Sequence, residues 1–147
     1  MPESIPVVLC GRRIEVGKPV SDLLRPEYEV IHFIASPKAL HAELPLLLSG
    51  QDPEPVVTRP NEVGTHDYSR PPQAVIFGRG YTMEFVQQVK EAYQSRSPEP
   101  VAWVTGDPAT APSGPPPPAY AEATANTVKN VLAAWREQGG GDAFLVY

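Results

Sequence analysis

The sequence predicts an α/β protein, a three-layer αβα sandwich around a four- or five-stranded parallel sheet of the Rossmann-like or flavodoxin-like type. Short apolar runs rich in β-branched residues alternate with amphipathic helical patterns along the chain. This alternation is typical of βαβ units and a parallel sheet. The chain of 147 residues has the length of about one domain. We therefore expect a single Rossmann-like domain over 1–147, with right-handed crossovers that place helices on both faces of the sheet.

Composition excludes several classes of protein. The net charge of -5 lacks the basic footprint of a general nucleic-acid binder. No apolar stretch approaches the roughly 20 residues that span a bilayer. The single cysteine excludes an internal disulfide and a Cys-cluster zinc site, and the three scattered histidines suggest no metal centre. The amino-terminal segment lacks the basic region of a signal peptide, so we expect a cytoplasmic protein without nucleic-acid or membrane partners.

The first strand is predicted over 5–10 (IPVVLC), ending at Gly11. A short helical turn over 19–24 follows, because proline at position 19 suits the first position of a helix. The run 28–35 (YEVIHFIA) is apolar and rich in β-branched and aromatic residues, so it predicts the second strand.

The next helix has a clear start signal. Ser36 is typical of an N-cap, and Pro37 suits the first helical position. Pro45 falls inside the helical pattern, which predicts two short helices in place of one. Residues 51–72 then form a polar, proline-rich loop. The expected apolar face carries four leucines, Leu40, Leu44, Leu47 and Leu48.

The second half of the chain continues the alternation. The run 73–78 (QAVIFG) predicts the third strand, and Thr82 is a good N-cap for the helix after it. The run 101–105 (VAWVT) predicts the fourth strand. Proline is unusually frequent, with 19 in the chain, and the stretch 107–118 is expected to be extended with polyproline II character.

The last helix is predicted over 119–138, with an apolar stripe and three glycines at 139–141 that end it. The apolar tail 143–147 (AFLVY) predicts a possible fifth strand. A chain end is usually mobile unless it is tied down, so this tail is expected to lie on its own sheet or on a partner. Together with Trp135 on the helix stripe, it also suggests a homodimer.

Glycines and basic residues follow the predicted strands. Because ligands of doubly wound sheets bind at the carboxyl ends of the strands, near the point where strand order reverses, these residues are expected at one edge. Helix N-termini and backbone N–H groups favour negative charge there. The alternative is that the glycines serve turn geometry alone. The candidate ligand-binding residues are Gly11, Arg12, Arg13, Ser36, Lys38, Gly78, Arg79 and Gly80.

The loop after the first strand, CGRRIEVGKP, is close to known phosphate-binding loops without matching one. Five residues separate Gly11 from Gly17, and Pro19 replaces the hydroxyl residue of a P-loop. In the dinucleotide fingerprint, Arg13 stands where the second glycine is needed, and Gly17 lies one position late for the third. An NTPase is therefore unexpected, and the loop resembles a Rossmann first turn in position only.

The end of the second strand bears on the choice of cofactor. An NAD site usually has Asp or Glu there, on the ribose hydroxyl. Ser36 and Lys38 suit a 2′-phosphate better, which favours NADP over NAD if a dinucleotide binds. The alternative interpretation is a plain helix cap at Ser36 with Lys38 in solvent.

The long loop contains three side chains of catalytic type in a row, His66, Asp67 and Tyr68. Histidine has an unperturbed pKa near neutrality and is a candidate general acid or base. The loop is long enough to fold over the carboxyl edge of the sheet. A surface loop with Tyr68 as its anchor is the alternative.

Other chemically notable residues favour structural roles. Cys10 ends the first strand and has no histidine partner nearby in sequence, so a buried, inert thiol is expected. His32 lies within the second strand and is expected in the core, whereas His41 is expected to be exposed on a helix. Both tryptophans, Trp103 and Trp135, are expected in the core.

The stretches IPVVLCGRR, EYEVIHFIASP and DYSRPPQAVIFGRGY, with the proline-rich run before a final helix, resemble a group of small fungal Rossmann-like proteins. The resemblance covers most of the chain. It implies the Rossmann-like fold and a soluble protein, and it implies no catalytic residue.

Three functions are open at this point. The first is binding of a small molecule or nucleotide, assisted by the basic residues at the carboxyl edge. The second is a cofactor-independent enzyme of isomerase, cyclase or hydrolase type that uses the loop 61–72. The third is a non-catalytic interaction protein that has lost its nucleotide site. Fold alone does not choose among them.

Overall fold

The computed structural model describes residues 4–11, 14–25, 27–51, 65, 70–78, 81–97, 100–106, 119–141 and 143–147, without the side chains of residues 14–16. Strands and helices alternate along these residues as predicted. The strands are β1 (Ile5–Cys10), β2 (Tyr28–Ile34), β3 (Ala74–Phe77), β4 (Ala102–Thr105) and β5 (Ala143–Val146). The helices are α1 (Ile14–Leu24), α2 (Pro37–Leu48), α3 (Met83–Tyr93) and α4 (Tyr120–Glu137), with a short 3₁₀ turn over Gln94–Arg96.

The five strands form one parallel sheet in the order β2-β1-β3-β4-β5. This confirms the predicted α/β class and makes the apolar tail the fifth strand of its own sheet. Strand order is that of flavodoxin-like doubly wound sheets, in which the chain winds first to one side of β1 and then to the other. The switch point lies between β1 and β3.

The helices cover both faces of the sheet and create two apolar layers. Helices α1 and α4 lie on one face, where Val20 and Leu24 meet Val128, Leu132 and Trp135. Helices α2 and α3 lie on the other face. Their buried side chains contact the strands together with Trp103 and include Leu40, Leu44, Leu47, Leu48, Val86 and Val89. The three-layer arrangement is therefore complete, and each of the two apolar layers contains one tryptophan.

Helix α1 is longer than predicted. It begins at Ile14 and contains Pro19, whereas the sequence predicted a helix that starts at Pro19. Proline in a helix interior costs about 3 kcal/mol because it removes an N–H donor and clashes with the preceding turn. Burial of Val20 and Leu24 against the sheet and α4 offsets that cost.

Helix α2 is also continuous, and the predicted break at Pro45 is wrong. Leu44, Leu47 and Leu48 on both sides of the proline are fully or almost fully buried under the sheet. Breaking the helix there would expose this apolar face, so burial outweighs the lost hydrogen bond. The single proton of the Ser49 hydroxyl is shared between the Pro45 and Leu46 carbonyls, at 3.0 and 3.1 Å, at the helix end.

The predicted N-cap of α3 and the predicted glycine stop after α4 are confirmed. The Thr82 hydroxyl accepts a hydrogen bond from the Phe85 amide at 3.0 Å, as an N-cap does. Helix α4 ends at Glu137, and Gly139 and Gly140 follow it with φ angles of 106° and 66°, in the region that favours glycine. Within the described residues, no helix combines the length and apolar character needed to cross a membrane.

Candidate functional site

Two glycine-bearing turns adjoin at the switch point. Gly11 follows β1 and Gly78 follows β3, and the Gly78 amide donates to the Cys10 carbonyl at 2.8 Å. A Cβ atom placed on Gly78 would lie 3.9 Å from Cα of Gly11. The two turns that the sequence placed at one edge are therefore in direct contact, where doubly wound sheets bind their ligands.

The last carbonyl of each of the first four strands accepts an internal hydrogen bond. The Ile34 carbonyl accepts from the Gly11 amide at 3.0 Å, and the Cys10 carbonyl accepts from Gly78. The carbonyls of Phe77 and Thr105 accept from the hydroxyl and the amide of Tyr147, at 2.7 and 3.0 Å. These bonds reduce the negative potential that strand carbonyls would otherwise present at this edge.

The same hydrogen bonds restrict what the glycines can do. The amides of both Gly11 and Gly78 are used within the sheet, so neither is free to donate to a ligand. Their contribution is close approach of the backbone. The predicted contacts to an anion therefore depend on the other predicted residues of these turns. Those residues, Arg12, Arg13, Arg79 and Gly80, lie outside the described part of the chain.

Gly17 has a packing role in the structure that the sequence pattern did not predict. It lies in α1 directly against the ring of Phe33, and a Cβ atom at Gly17 would stand 2.6 Å from Phe33 Cζ. Phe33 also lies beneath Gly11, whose Cβ would meet the ring at 3.3 Å. Close contact between helix and sheet is the role of the third glycine in a dinucleotide fingerprint. Gly17 fills that role although its spacing in sequence is one residue too long.

Ser36 and Lys38 lie at the start of α2, beyond the carboxyl end of β2. The Ser36 hydroxyl accepts from the Ala39 amide at 3.1 Å, and Lys38 is exposed. Ser36 is therefore a helix cap in this structure. A second role of both residues on a 2′-phosphate stays a prediction.

The predicted catalytic residues His66, Asp67 and Tyr68 lie outside the described residues. Two neighbours show where the loop is attached. The Thr65 amide donates to the Val30 carbonyl at 2.8 Å, on the outer edge of β2. The Arg70 guanidinium donates to the Ser4 carbonyl at 2.8 Å, at the amino end of β1. Both attachments lie away from the switch point.

A β-bulge in β2 directs His32 into the core. Val7 and Val8 of β1 face Val30 and His32 of β2, so Ile31 is an extra residue without a partner in β1. As a result, Ile31 and His32 point to the same face, toward α2. Bulges commonly redirect a side chain in this way.

His32 meets a buried carboxyl group on that face. Its Nε2 lies 2.5 Å from Oε1 of Glu43, and both side chains are almost fully buried. Among the residues that the structure describes, the second carboxyl oxygen of Glu43 has no hydrogen-bond partner. His32 is thus a core residue, as predicted. Its acidic partner on α2, Glu43, was not predicted.

Cys10 lies in the same apolar layer. Burial raises the pKa of its thiol, and the nearby Glu43 carboxylate raises this pKa further. A thiol held neutral in this way is a poor nucleophile. The predicted burial of Cys10 is confirmed, and its inertness stays a prediction.

Sequence reasoning missed two residues that shape the carboxyl edge. Phe33 was expected only as part of a strand, and Tyr147 only as part of an apolar tail. For Phe33, an aromatic residue at the end of a strand next to a glycine-bearing helix was an available signal. For Tyr147 there was none, because its contact with β3 depends on strand order.

Comparison with known proteins gives one informative match. The chain is 36% identical over 142 residues to "Kojic acid related protein 6" of Aspergillus oryzae (strain ATCC 42149 / RIB 40), covering 96% of this chain and 84% of that protein. No protein-family model and no solved structure matches the chain. The match supports the expected resemblance to fungal proteins.

Proposed function

The chain belongs to the family of Kojic acid related protein 6, and on that premise we propose that it binds an anionic small molecule at the switch point between β1 and β3. The ligand class is a nucleotide or another small metabolite that carries phosphate or carboxylate. The relative's name connects that protein with kojic acid, which carries neither phosphate nor carboxylate, so kojic acid is tested as a separate ligand outside this class.

The observation that carries this proposal is the contact between the Gly11 and Gly78 turns. A Cβ atom at Gly11 would meet the Phe33 ring, and one at Gly78 would meet the Cys10 carbonyl, so the two glycines allow the turns to pack closely together at the switch point. The capped carbonyls of β1 to β4 lower the negative potential beneath it. An anion is the ligand that gains from both features.

The arginines of the two turns supply the charge. Arg12 and Arg13 follow Gly11 in sequence, and Arg79 follows Gly78. A guanidinium presents its donors in a fork that suits phosphate and carboxylate groups. The chain has a net charge of -5, but three arginines lie within two residues of Gly11 or Gly78 in sequence, so positive charge is concentrated next to these glycines.

For a dinucleotide ligand, we propose a preference for NADP over NAD. Ser36 and Lys38 lie at the start of α2, beyond the carboxyl end of β2, where an acidic residue would favour the ribose hydroxyl of NAD. Neither residue would repel a 2′-phosphate, and the exposed Lys38 ammonium could pair with it.

Calorimetric titration tests the proposal with NADP, NAD, inorganic phosphate and kojic acid as probes. Loss of one charge-assisted hydrogen bond costs about 1.5–3 kcal/mol, so Arg12→Ala or Arg79→Ala should weaken binding roughly 10- to 150-fold. The matched control is Arg96→Ala, which removes an exposed arginine just after α3, at the opposite edge of the sheet.

Wild-type binding that is lost in the two turn variants and kept in Arg96→Ala supports the site. Equal affinity in all three variants places the ligand elsewhere. Absence of binding to every probe contradicts the proposed function itself.

A further inference from the structure

Tyr147 links the far edge of the sheet to the switch point. It follows β5, which is separated from β3 by β4. Its amide donates to the Thr105 carbonyl at the end of β4, and its hydroxyl donates to the Phe77 carbonyl at the end of β3, at 2.7 Å. Its buried side chain therefore spans the end of β4 and reaches the strand that begins the Gly78 turn.

The hydrogen bond from the Tyr147 hydroxyl is made to the peptide group between Phe77 and Gly78. Pairing between β3 and β4 ends at Ile76 and Val104, so the Phe77 carbonyl lies one residue beyond the paired region. The Tyr147 hydroxyl supplies a donor to that carbonyl. The N–H of the same peptide group, that of Gly78, donates to the Cys10 carbonyl of β1.

The peptide between Phe77 and Gly78 is consequently held at both of its polar atoms. A peptide group is planar, with its N–H and C=O on opposite sides, so two hydrogen bonds of this kind oppose its rotation. This peptide is the first of the turn that carries Arg79. Its orientation fixes the last described residue, Gly78, before Arg79 in the sequence.

We propose that Tyr147 is a positioning residue for the anion site. Its hydroxyl fixes the start of the Gly78 turn, and by donating to the Phe77 carbonyl it lowers the negative potential that a phosphate group would meet there. This inference rests on the proposed function, since it assigns Tyr147 a part in the same site. Tyr147 itself need not touch the ligand.

The test is Tyr147→Phe, which removes the hydroxyl and keeps the ring in the core. The matched control is Tyr28→Phe. Tyr28 is buried in the same layer as Tyr147, but it lies at the amino end of β2, the outer strand on the other side of the sheet from β5. Two quantities are measured: affinity for NADP and inorganic phosphate by calorimetry, and hydrogen exchange of the Gly78 amide by NMR. The Gly11 amide, bonded to Ile34, is the internal reference for exchange.

A neutral hydrogen bond contributes about 0.5–1.5 kcal/mol, so Tyr147→Phe should weaken binding roughly 2- to 10-fold. It should accelerate exchange at Gly78 relative to Gly11 by a similar factor, and Tyr28→Phe should change neither. Unchanged affinity in Tyr147→Phe overturns the inference, whatever the exchange rate. Equal losses in both tyrosine variants also overturn it, because they indicate a general loss of stability.

The two proposals fail in different ways. A wild-type protein that binds no probe overturns the proposed function, and the inference with it. A wild-type protein that binds, with Tyr147→Phe binding equally well, overturns the inference alone.

Discussion

Gly17 and Phe33 illustrate how a single residue controls the approach of a helix to the sheet. The hydrogen atom of Gly17 is all that fits between α1 and the ring of Phe33. Glycine in a helix interior is destabilising by about 1 kcal/mol relative to alanine. Its presence here is explained by packing, because any larger side chain would separate α1 from β2.

We therefore expect Gly17→Ala to destabilise the protein by about 1–3 kcal/mol, although alanine is the better helix former. Urea unfolding measures this change. Adding Phe33→Leu to Gly17→Ala should recover part of the loss, since the shorter side chain leaves room for the new methyl group. Strictly additive effects of the two substitutions would show that the contact is not the cause.

Cys10 provides a prediction about pH. Because burial and Glu43 raise the pKa of the folded thiol, the folded state keeps its proton when the unfolded thiol ionises, above a pH of roughly 8.5. The unfolded state then binds fewer protons, so stability falls as pH rises. The contribution of Cys10 is fully present below that pH.

Between pH 8.5 and 9.5, wild type should lose about 1 kcal/mol more stability than Cys10→Ala. Urea unfolding of both proteins at the two pH values measures the difference. Identical losses would mean that the folded thiol ionises freely. A disulfide-exchange reagent should also leave native Cys10 unmodified and react only after unfolding.

At the scale of elements, helix ends connect stability with ligand preference. Ser36 caps α2 and is also a predicted neighbour of a 2′-phosphate. Alanine removes both functions, whereas aspartate keeps the cap and introduces a charge that repels phosphate. The two substitutions therefore separate the structural role from the binding role.

We expect Ser36→Ala to lower the free energy of unfolding by about 1 kcal/mol and Ser36→Asp to leave it nearly unchanged. Ser36→Asp should weaken binding of NADP and spare binding of NAD, as measured by calorimetry. If both dinucleotides respond equally to Ser36→Asp, Ser36 is a cap and nothing more.

At the scale of the whole molecule, the described residues form one sheet and two helical layers, each with its own tryptophan. Trp103 lies in the layer of α2 and α3, and Trp135 in the layer of α1 and α4. Both layers pack on the same five strands, so unfolding of either layer exposes the face of the sheet that it covers and weakens the strands on which the other layer packs. The predicted homodimer stays a proposal. The apolar tail that suggested it forms β5 of its own sheet.

Two single-tryptophan variants, Trp103→Phe and Trp135→Phe, test this coupling. In each variant, the fluorescence of the remaining tryptophan should follow far-UV circular dichroism with the same urea midpoint, as in two-state unfolding. A fluorescence midpoint that differs from the dichroism midpoint in either variant would reveal layers that unfold separately.

The sequence by itself determined the class of fold, the position of each strand and the glycine-bearing turns after β1 and β3. These features are local, because apolar runs, caps and turn residues act over a few neighbouring positions. Ser36, Thr82 and Gly139 were recognised for this reason.

Only the tertiary structure decided the continuity of α1 and α2 through their prolines, the pairing of His32 with Glu43, and the reach of Tyr147 to β3. Each of these depends on partners distant in sequence, whose burial outweighs local preference. The helices keep their prolines because the sheet buries the side chains around them. Tyr147 meets Phe77 because strand order brings together residues 70 positions apart.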